Sequence, residues 1–157
     1  MKKLILIIGV LTSLTTMARF EEQYGANEIK NQKYENGVIS KTFSTKDYKQ
    51  VYTVEVIPTS KKAEEYFQSL LNKIEEKKFK ILDYTDIFAI KKITFIAGSD
   101  IIVISKADKE VSQLILNINT LDEAVNFGQY LKLNDIDSSI ELTILNAKTD
   151  YIMRDIK

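Results

Sequence analysis

The order of apolar and polar positions predicts a series of β-strands interrupted by two helices. From Gly37 onward, the runs GVISKTFS and QVYTVEVI are β-branched and aromatic, and the short segment TKDYK between them is typical of a β-hairpin. Four further runs favour extended structure, namely FKILDY, FAIKKITFIAG, DIIVISK and EVSQLILNI. Their connections are too short for a parallel crossover, so we expect neighbouring strands to be antiparallel.

Two segments have helical periodicity. Between residues 60 and 78, apolar side chains recur every 3.6 residues, at Ala63, Tyr66, Phe67, Leu70, Leu71 and Ile74. The segment TLDEAVNFGQYLKL predicts a second helix, with Thr120 and Glu123 as a capping box and Gly128 allowing close approach to the sheet. The following SSIELTILN alternates apolar and polar residues, which predicts a last, half-exposed strand.

This order of elements predicts an α+β fold: a curved antiparallel sheet of about six to seven strands with two helices packed on one face. Residues 37–157 form the single folded domain in this interpretation. Residues 19–36 are polar with scattered apolar positions, which predicts a loosely held arm or a short helix.

The first eighteen residues have the pattern of a secretory signal peptide. Lys2 and Lys3 precede an apolar run that begins at Leu4, and Thr16 and Ala18 provide the small residues of a cleavage site. The run is shorter than the ~20 residues that a membrane-spanning helix needs. A buried N-terminal element and an uncleaved anchor are the alternatives. We expect a periplasmic or secreted product without stable membrane insertion after cleavage.

Composition narrows the possible chemistry. The chain has 22 basic and 22 acidic residues, so removal of Lys2 and Lys3 leaves 20 against 22, a balance that argues against nucleic acid as a partner. It has no cysteine and no histidine, and therefore lacks disulfides, the commonest zinc ligands and the commonest general base. We expect no cofactor, no metal and no catalytic residue. These absences favour a non-enzyme without deciding the question.

Four residues are candidate binding residues. The stretch LDYTDIF places Asp83, Tyr84 and Asp86 in an expected loop, where two carboxylates beside a phenol could bind a sugar or a cation or share acid–base work. Tyr48, in the predicted hairpin turn, could anchor an interface. The alternative for each is an ordinary solvated turn or surface aromatic residue. The stretch NDIDSS begins like a calcium loop, but it lacks the required glycine and glutamate and predicts a helix end followed by a turn.

Three functional hypotheses follow. The favoured one is an exported, soluble, non-enzymatic binding or interaction domain of the bacterial cell envelope or secretome, whose partner is an envelope or extracellular protein. The second is a carrier that holds a small apolar ligand between the sheet and the helices, lined by Phe67, Leu71, Phe127 and Leu131. The third is a small hydrolase acting on glycans, which requires the carboxylates of Asp83 and Asp86 to converge.

Overall fold

A computed structural model of the chain describes the backbone of residues 26–155 and the side chains of residues 31–154. The expected signal peptide (1–18) and residues 19–25 of the expected arm lie outside the described residues. None of the described helices has both the length and the apolar composition needed to span a bilayer. The elements are β1 (Ala26–Lys33), β2 (Ile39–Thr45), β3 (Gln50–Val56), α1 (Ser60–Glu76), β4 (Lys80–Ile87), β5 (Ile90–Ala97), β6 (Asp100–Ala107), β7 (Glu110–Asn117), a 3₁₀ turn (Ile118–Thr120), α2 (Leu121–Leu133) and α3 (Ile140–Asp155).

The described strands form one open antiparallel sheet in the order β1-β2-β3-β7-β6-β5-β4. The predicted α+β class and the seven-strand sheet are therefore confirmed. Two meanders, β1–β3 and β4–β7, are joined by α1 and meet where β3 pairs with β7. Residues 26–33, which we expected in a loose arm or a short helix, instead form the edge strand β1.

Helix α1 covers one face of the sheet. Pro58 follows β3, and the hydroxyl of Thr59 caps the helix by accepting a hydrogen bond of 3.2 Å from the backbone N–H of Lys62. The predicted apolar stripe is confirmed, because its central residue Phe67 is fully buried. The core on this face comprises Ile57, Ala63, Phe67, Ile74, Ile93, Phe95, Ile104 and Val111.

A cluster of charged side chains connects α1 to the sheet. The carboxylate of Glu64 lies 2.6 Å from Nζ of Lys91 and 3.0 Å from Nζ of Lys106. Hydrogen bonds from Lys91 and Lys106 lower the pKa of the Glu64 carboxyl below its ordinary value of 4.5. Asp86 completes the cluster at 3.9 Å from Lys91. The cluster therefore ties the N-terminal part of α1 to β5 and β6.

Helices α2 and α3 pack together on the opposite face. The side chains of β6 show the division, since Ile101 and Val103 belong to one core and Ile102 and Ile104 to the other. Two helices do share one face, as predicted, but they are α2 and α3, while α1 lies on the other side. The core beneath α2 and α3 comprises Phe43, Tyr52, Leu82, Ile101, Val103, Leu114, Leu116, Leu121, Ala124, Phe127, Tyr130, Leu131, Ile140, Ile144 and Ala147.

The prediction of a strand over SSIELTILN is wrong, because this segment begins α3. Ile140, Ile144 and Ala147 face the core with helical spacing, and the exposed Leu142 produces the apparent alternation. The close approach predicted for Gly128 exists, but it is to α3 and not to the sheet. A Cβ atom at Gly128 would lie 2.7 Å from Cδ1 of Ile144.

A buried glutamine joins β3 to the start of α2. Nε2 of Gln50, 1% exposed, donates to the hydroxyl of Thr120 at 2.9 Å and to its carbonyl at 3.1 Å. The backbone N–H of Asn117 donates to Oε1 of Gln50 at 3.2 Å. The hydroxyl of Thr120 makes no capping hydrogen bond, so the predicted capping box with Glu123 does not form. Gln50 thus satisfies backbone groups where the chain leaves the sheet.

Candidate binding groove

The four sequence-predicted site residues do not come together in one site. Asp83, Tyr84 and Asp86 lie in the edge strand β4 and not in a loop. Tyr48 lies in the β2–β3 turn, at the opposite end of the sheet from the β4–β5 turn. It is 56% exposed and has a φ of 56°.

The carboxylates of Asp83 and Asp86 project from opposite faces of the sheet. Asp83 is paired with Thr94 and Asp86 with Lys91, and residues that face each other across strands share a face, whereas successive residues alternate. Asp83 accepts a hydrogen bond of 3.2 Å from the hydroxyl of Thr85. The two carboxylates therefore do not converge, although the hydrolase hypothesis requires them to do so.

The four residues proposed to line a carrier cavity are likewise divided between the two faces. Phe67 and Leu71 pack in the core beneath α1, whereas Phe127 and Leu131 pack in the core beneath α2 and α3. Phe67, Phe127 and Leu131 have no exposed surface. The space between the sheet and these helix faces is therefore filled by side chains.

A groove of about 930 Å³ instead opens beside α3, on the same face as α2 and α3. Its position follows from three rows of side chains that cross β2, β3, β7, β6, β5 and β4 through consecutive strand pairs. The inner row is Phe43, Tyr52, Leu114, Val103, Thr94 and Asp83. The middle row is Lys41, Val54, Ser112, Ser105, Lys92 and Thr85. The outer row is Ile39, Val56, Glu110, Ala107, Ile90 and Ile87.

The rows differ in what covers them. Phe43, Val103 and Leu114 of the inner row are buried beneath α2 and α3. Every residue of the middle row lines the groove. Every residue of the outer row except Ile87 does so as well. Because α3 begins over the inner row, the two small serines at the centre of the middle row face open space.

The connection between α2 and α3, residues 134–139, forms one wall of the groove. The hydroxyl of Tyr52 donates to Oδ2 of Asp137 at 2.8 Å, and the backbone N–H and the hydroxyl of Ser139 donate to Oδ1 at 2.8 and 2.7 Å. Burial and the neighbouring Asp137 carboxylate raise the pKa of Tyr52, so the phenol keeps its proton and remains a donor. Asp137 therefore ties the wall to β3.

The hydrogen bonds of Asp137 agree with the prediction that NDIDSS is a helix end and a turn. Asn134 closes α2, since its Nδ2 donates to the carbonyl of Tyr130 at 2.8 Å. Among the described residues, no group of three or more acidic side chains is arranged to hold a metal ion.

The groove has a cationic position on each side of its hydroxyl-bearing centre. Lys41 and Lys92 belong to the middle row and are separated by four strand spacings, roughly 19 Å. Neither lysine forms an ion pair with another described residue. Glu110 supplies an exposed carboxylate in the outer row, between apolar neighbours. The groove can therefore hold an elongated ligand through hydroxyls and separated charges, with apolar contacts along one side.

A second, smaller hollow of about 350 Å³ lies beside the start of α1. Burial and a hydrogen bond to Glu55 raise the pKa of Tyr66, which lines it, to about 12. The hollow has less than half the volume of the groove, and its lining comes mostly from the β1–β2 and β3–α1 connections. The groove is therefore the stronger candidate.

Sequence reasoning missed the groove because no single segment contains it. Its floor takes alternate residues from six strands, and its wall depends on α3, which we expected to be a strand. Alternate hydroxyl and lysine residues in predicted central strands were the available signal, at Lys92, Ser105 and Ser112. No protein-family model, curated protein or solved structure matches this chain, so a functional assignment rests on the geometry described above.

Proposed function

We propose that the protein is an exported, non-enzymatic binding domain of the bacterial cell envelope or secretome and that the groove beside α3 is its ligand site. The observation that carries the proposal is the middle row. Its central residues, Ser105 and Ser112, are small and polar at positions of the sheet where the neighbouring inner row is packed beneath helices. The signal-peptide pattern of residues 1–18 supports export to the periplasm or beyond the cell.

An extended segment of an envelope or extracellular protein is the ligand that we favour. The two lysines of the middle row are separated by roughly 19 Å, a span that six residues of extended chain cover. The hydroxyls between them can bond to a polar ligand along its length. A single small metabolite would fill only part of such a site.

Site-specific photo-crosslinking in the native host tests this proposal. A photo-reactive amino acid at Ser105 faces the groove, and the same amino acid at Gln113, which is also half-buried in the sheet, faces the α1 side and serves as the control. We expect a discrete adduct from position 105 that is absent at position 113. The double variant Lys41→Glu/Lys92→Glu should abolish this adduct. Equal labelling at both positions, or none at position 105, would contradict the proposal.

A carrier of a small apolar ligand is the second candidate, because the outer row contributes Ile39, Val56 and Ile90 to the groove. Native mass spectrometry of protein purified from its own host distinguishes the two candidates. A bound lipid-like mass that is lost in Val56→Asp favours the carrier. A ligand-free protein that still crosslinks from position 105 favours the binding domain.

A further inference from the structure

We propose that the β4–β5 turn is a membrane-contacting tip that inserts its apolar side chains into the surface of a bilayer containing anionic lipid. The tip comprises Ile87, Phe88, Ala89 and Ile90, and it does not depend on the proposed role of the groove. Phe88 is fully exposed, at 101%, and Ile87 and Ile90 are more than half exposed. Phe88 alone presents on the order of 200 Å² of aromatic surface to the solvent.

The backbone of the tip makes the choice of phenylalanine unusual. The turns β4–β5, β5–β6 and β6–β7 each contain two residues, and the first residue of each has a positive φ. In the other two turns this residue is Gly98 or Asp108, types that favour this conformation. Phe88 has a φ of 55°, which is unfavourable for a bulky side chain. Tyr48 also has a positive φ, but it is only 56% exposed, whereas Phe88 is fully exposed between the exposed Ile87 and Ile90. Backbone strain together with an exposed apolar cluster points to a role outside the fold.

The residues behind the tip match the layers of a membrane surface. The first strand pair, Ile87 with Ile90, is apolar, and the next is Asp86 with Lys91. At roughly 3.4 Å per residue, the turn and the first pair project on the order of 7–10 Å beyond this charged pair. That length agrees with the ~5–10 Å to which interfacial elements enter the boundary between headgroups and acyl chains.

Tyrosine and lysine lie where headgroups would be. Tyr84 is 48% exposed on β4, and amphipathic aromatic rings favour the interfacial zone. Lys92 lies on β5 two residues behind Ile90, on the groove side, and Lys109 lies in the neighbouring β6–β7 turn, level with Phe88. Neither lysine forms an ion pair with another described residue.

The acidic residues closest to the tip are engaged elsewhere. Asp86 pairs with Lys91, and Asp108 accepts a hydrogen bond from Ser60. Glu110 lies two strands from β5, on the groove side. The two lysines without ion pairs therefore complement anionic headgroups. A bilayer is also an occupant that accepts exposed apolar side chains without a preformed pocket.

The lack of tryptophan in the chain provides a direct test. In Phe88→Trp, prepared in the mature chain (residues 19–157), the new indole is the sole tryptophan and reports on its surroundings. We expect its emission to shift to the blue with vesicles of phosphatidylethanolamine and phosphatidylglycerol, and brominated acyl chains to quench it. Tyr48→Trp is the matched control, since Tyr48 is also an exposed turn aromatic at positive φ but lies at the other end of the sheet. It should show neither change.

Phe88→Gly tests binding without endangering the fold, because glycine tolerates positive φ. We expect it to weaken co-sedimentation of the mature chain with the same vesicles by about tenfold or more, with the melting temperature kept or raised. An unshifted emission spectrum of Phe88→Trp with vesicles, an equal shift from Tyr48→Trp, or unchanged binding of Phe88→Gly would overturn the proposal. Burial of the indole of Phe88→Trp by a protein partner without vesicles would also overturn it.

Discussion

Replacement of Gly128 by alanine tests the contact between α2 and α3 most directly. Gly128 is buried, and an added Cβ would lie 2.7 Å from Cδ1 of Ile144 and 3.4 Å from Cα of Glu141. Alanine gains about 1 kcal/mol of helix propensity over glycine. Overpacking a filled core costs about 1–3 kcal/mol, and Ile144 has no exposed surface into which its methyl group could move. We expect Gly128→Ala to destabilise the protein by up to about 2 kcal/mol.

Urea unfolding followed by far-UV circular dichroism measures this change, and Ile144→Val identifies its cause. The valine lacks Cδ1 and alone should cost about 0.5–1.5 kcal/mol. In the double variant the alanine methyl occupies the freed space, so the two effects should be less than additive by about 1 kcal/mol. Asn126→Ala, at a surface position of α2, is the control and should be neutral or stabilising. The close packing of α2 on α3 would be refuted if the two stability changes were strictly additive. It would also be refuted if the Gly128→Ala variant were as stable as this control.

Two further changes test the hydrogen bonds and ion pairs of the sheet. Gln50→Leu removes three hydrogen bonds to partly buried groups of Asn117 and Thr120, and it should lower the free energy of unfolding by about 1–3 kcal/mol. The surface variant Gln68→Leu on α1 should stay within about 0.5 kcal/mol, and equal losses in urea unfolding would argue against the bonds of Gln50. Because its folded pKa lies below the ordinary 4.5, ionised Glu64 stabilises the fold above that pH, and this stabilisation is lost as the pH falls through the folded pKa. In thermal melts, the wild type should therefore be more stable than Glu64→Gln at pH 7, and this difference should shrink below about pH 4.5. Glu65→Gln is the control for loss of an acidic residue from α1. A difference that is constant with pH would contradict the pairing.

The sequence predicts elements well where one periodicity dominates. The stripe of α1 is apolar on one side only, so the sequence predicts its start and its buried face, and its end to within two residues. In α3, apolar side chains lie on both sides, with Ile140 and Ile144 buried and Leu142 and Leu145 exposed. When only the residues up to 146 are considered, the sequence therefore shows the alternation of a strand. Extending the window to Tyr151, which completes the spacing Ile140, Ile144, Ala147 and Tyr151, would have indicated the helix.

The arrangement of the elements is harder to predict than the elements themselves. Local patterns do not show which face of the sheet a helix covers, because that depends on how the crossover through α1 returns the chain to β4. The same limit explains the candidate residues. Asp83 and Asp86 are three residues apart, so they face opposite sides once both belong to one strand. The sequence assigned them to a loop, where this alternation does not apply.

The junction between β3 and β7 has a consequence for how the chain is made. The residue pairs that join these two central strands lie 54 to 66 positions apart in the sequence, whereas each meander forms from local hairpins. At a synthesis rate of about 5–20 residues per second, β3 waits on the order of 3–13 s for its partner. During that interval β3 is an unprotected edge, rich in β-branched residues that favour aggregation. Assembly of the sheet is therefore slow at one step, and a nascent-chain chaperone would act most usefully on QVYTVEV.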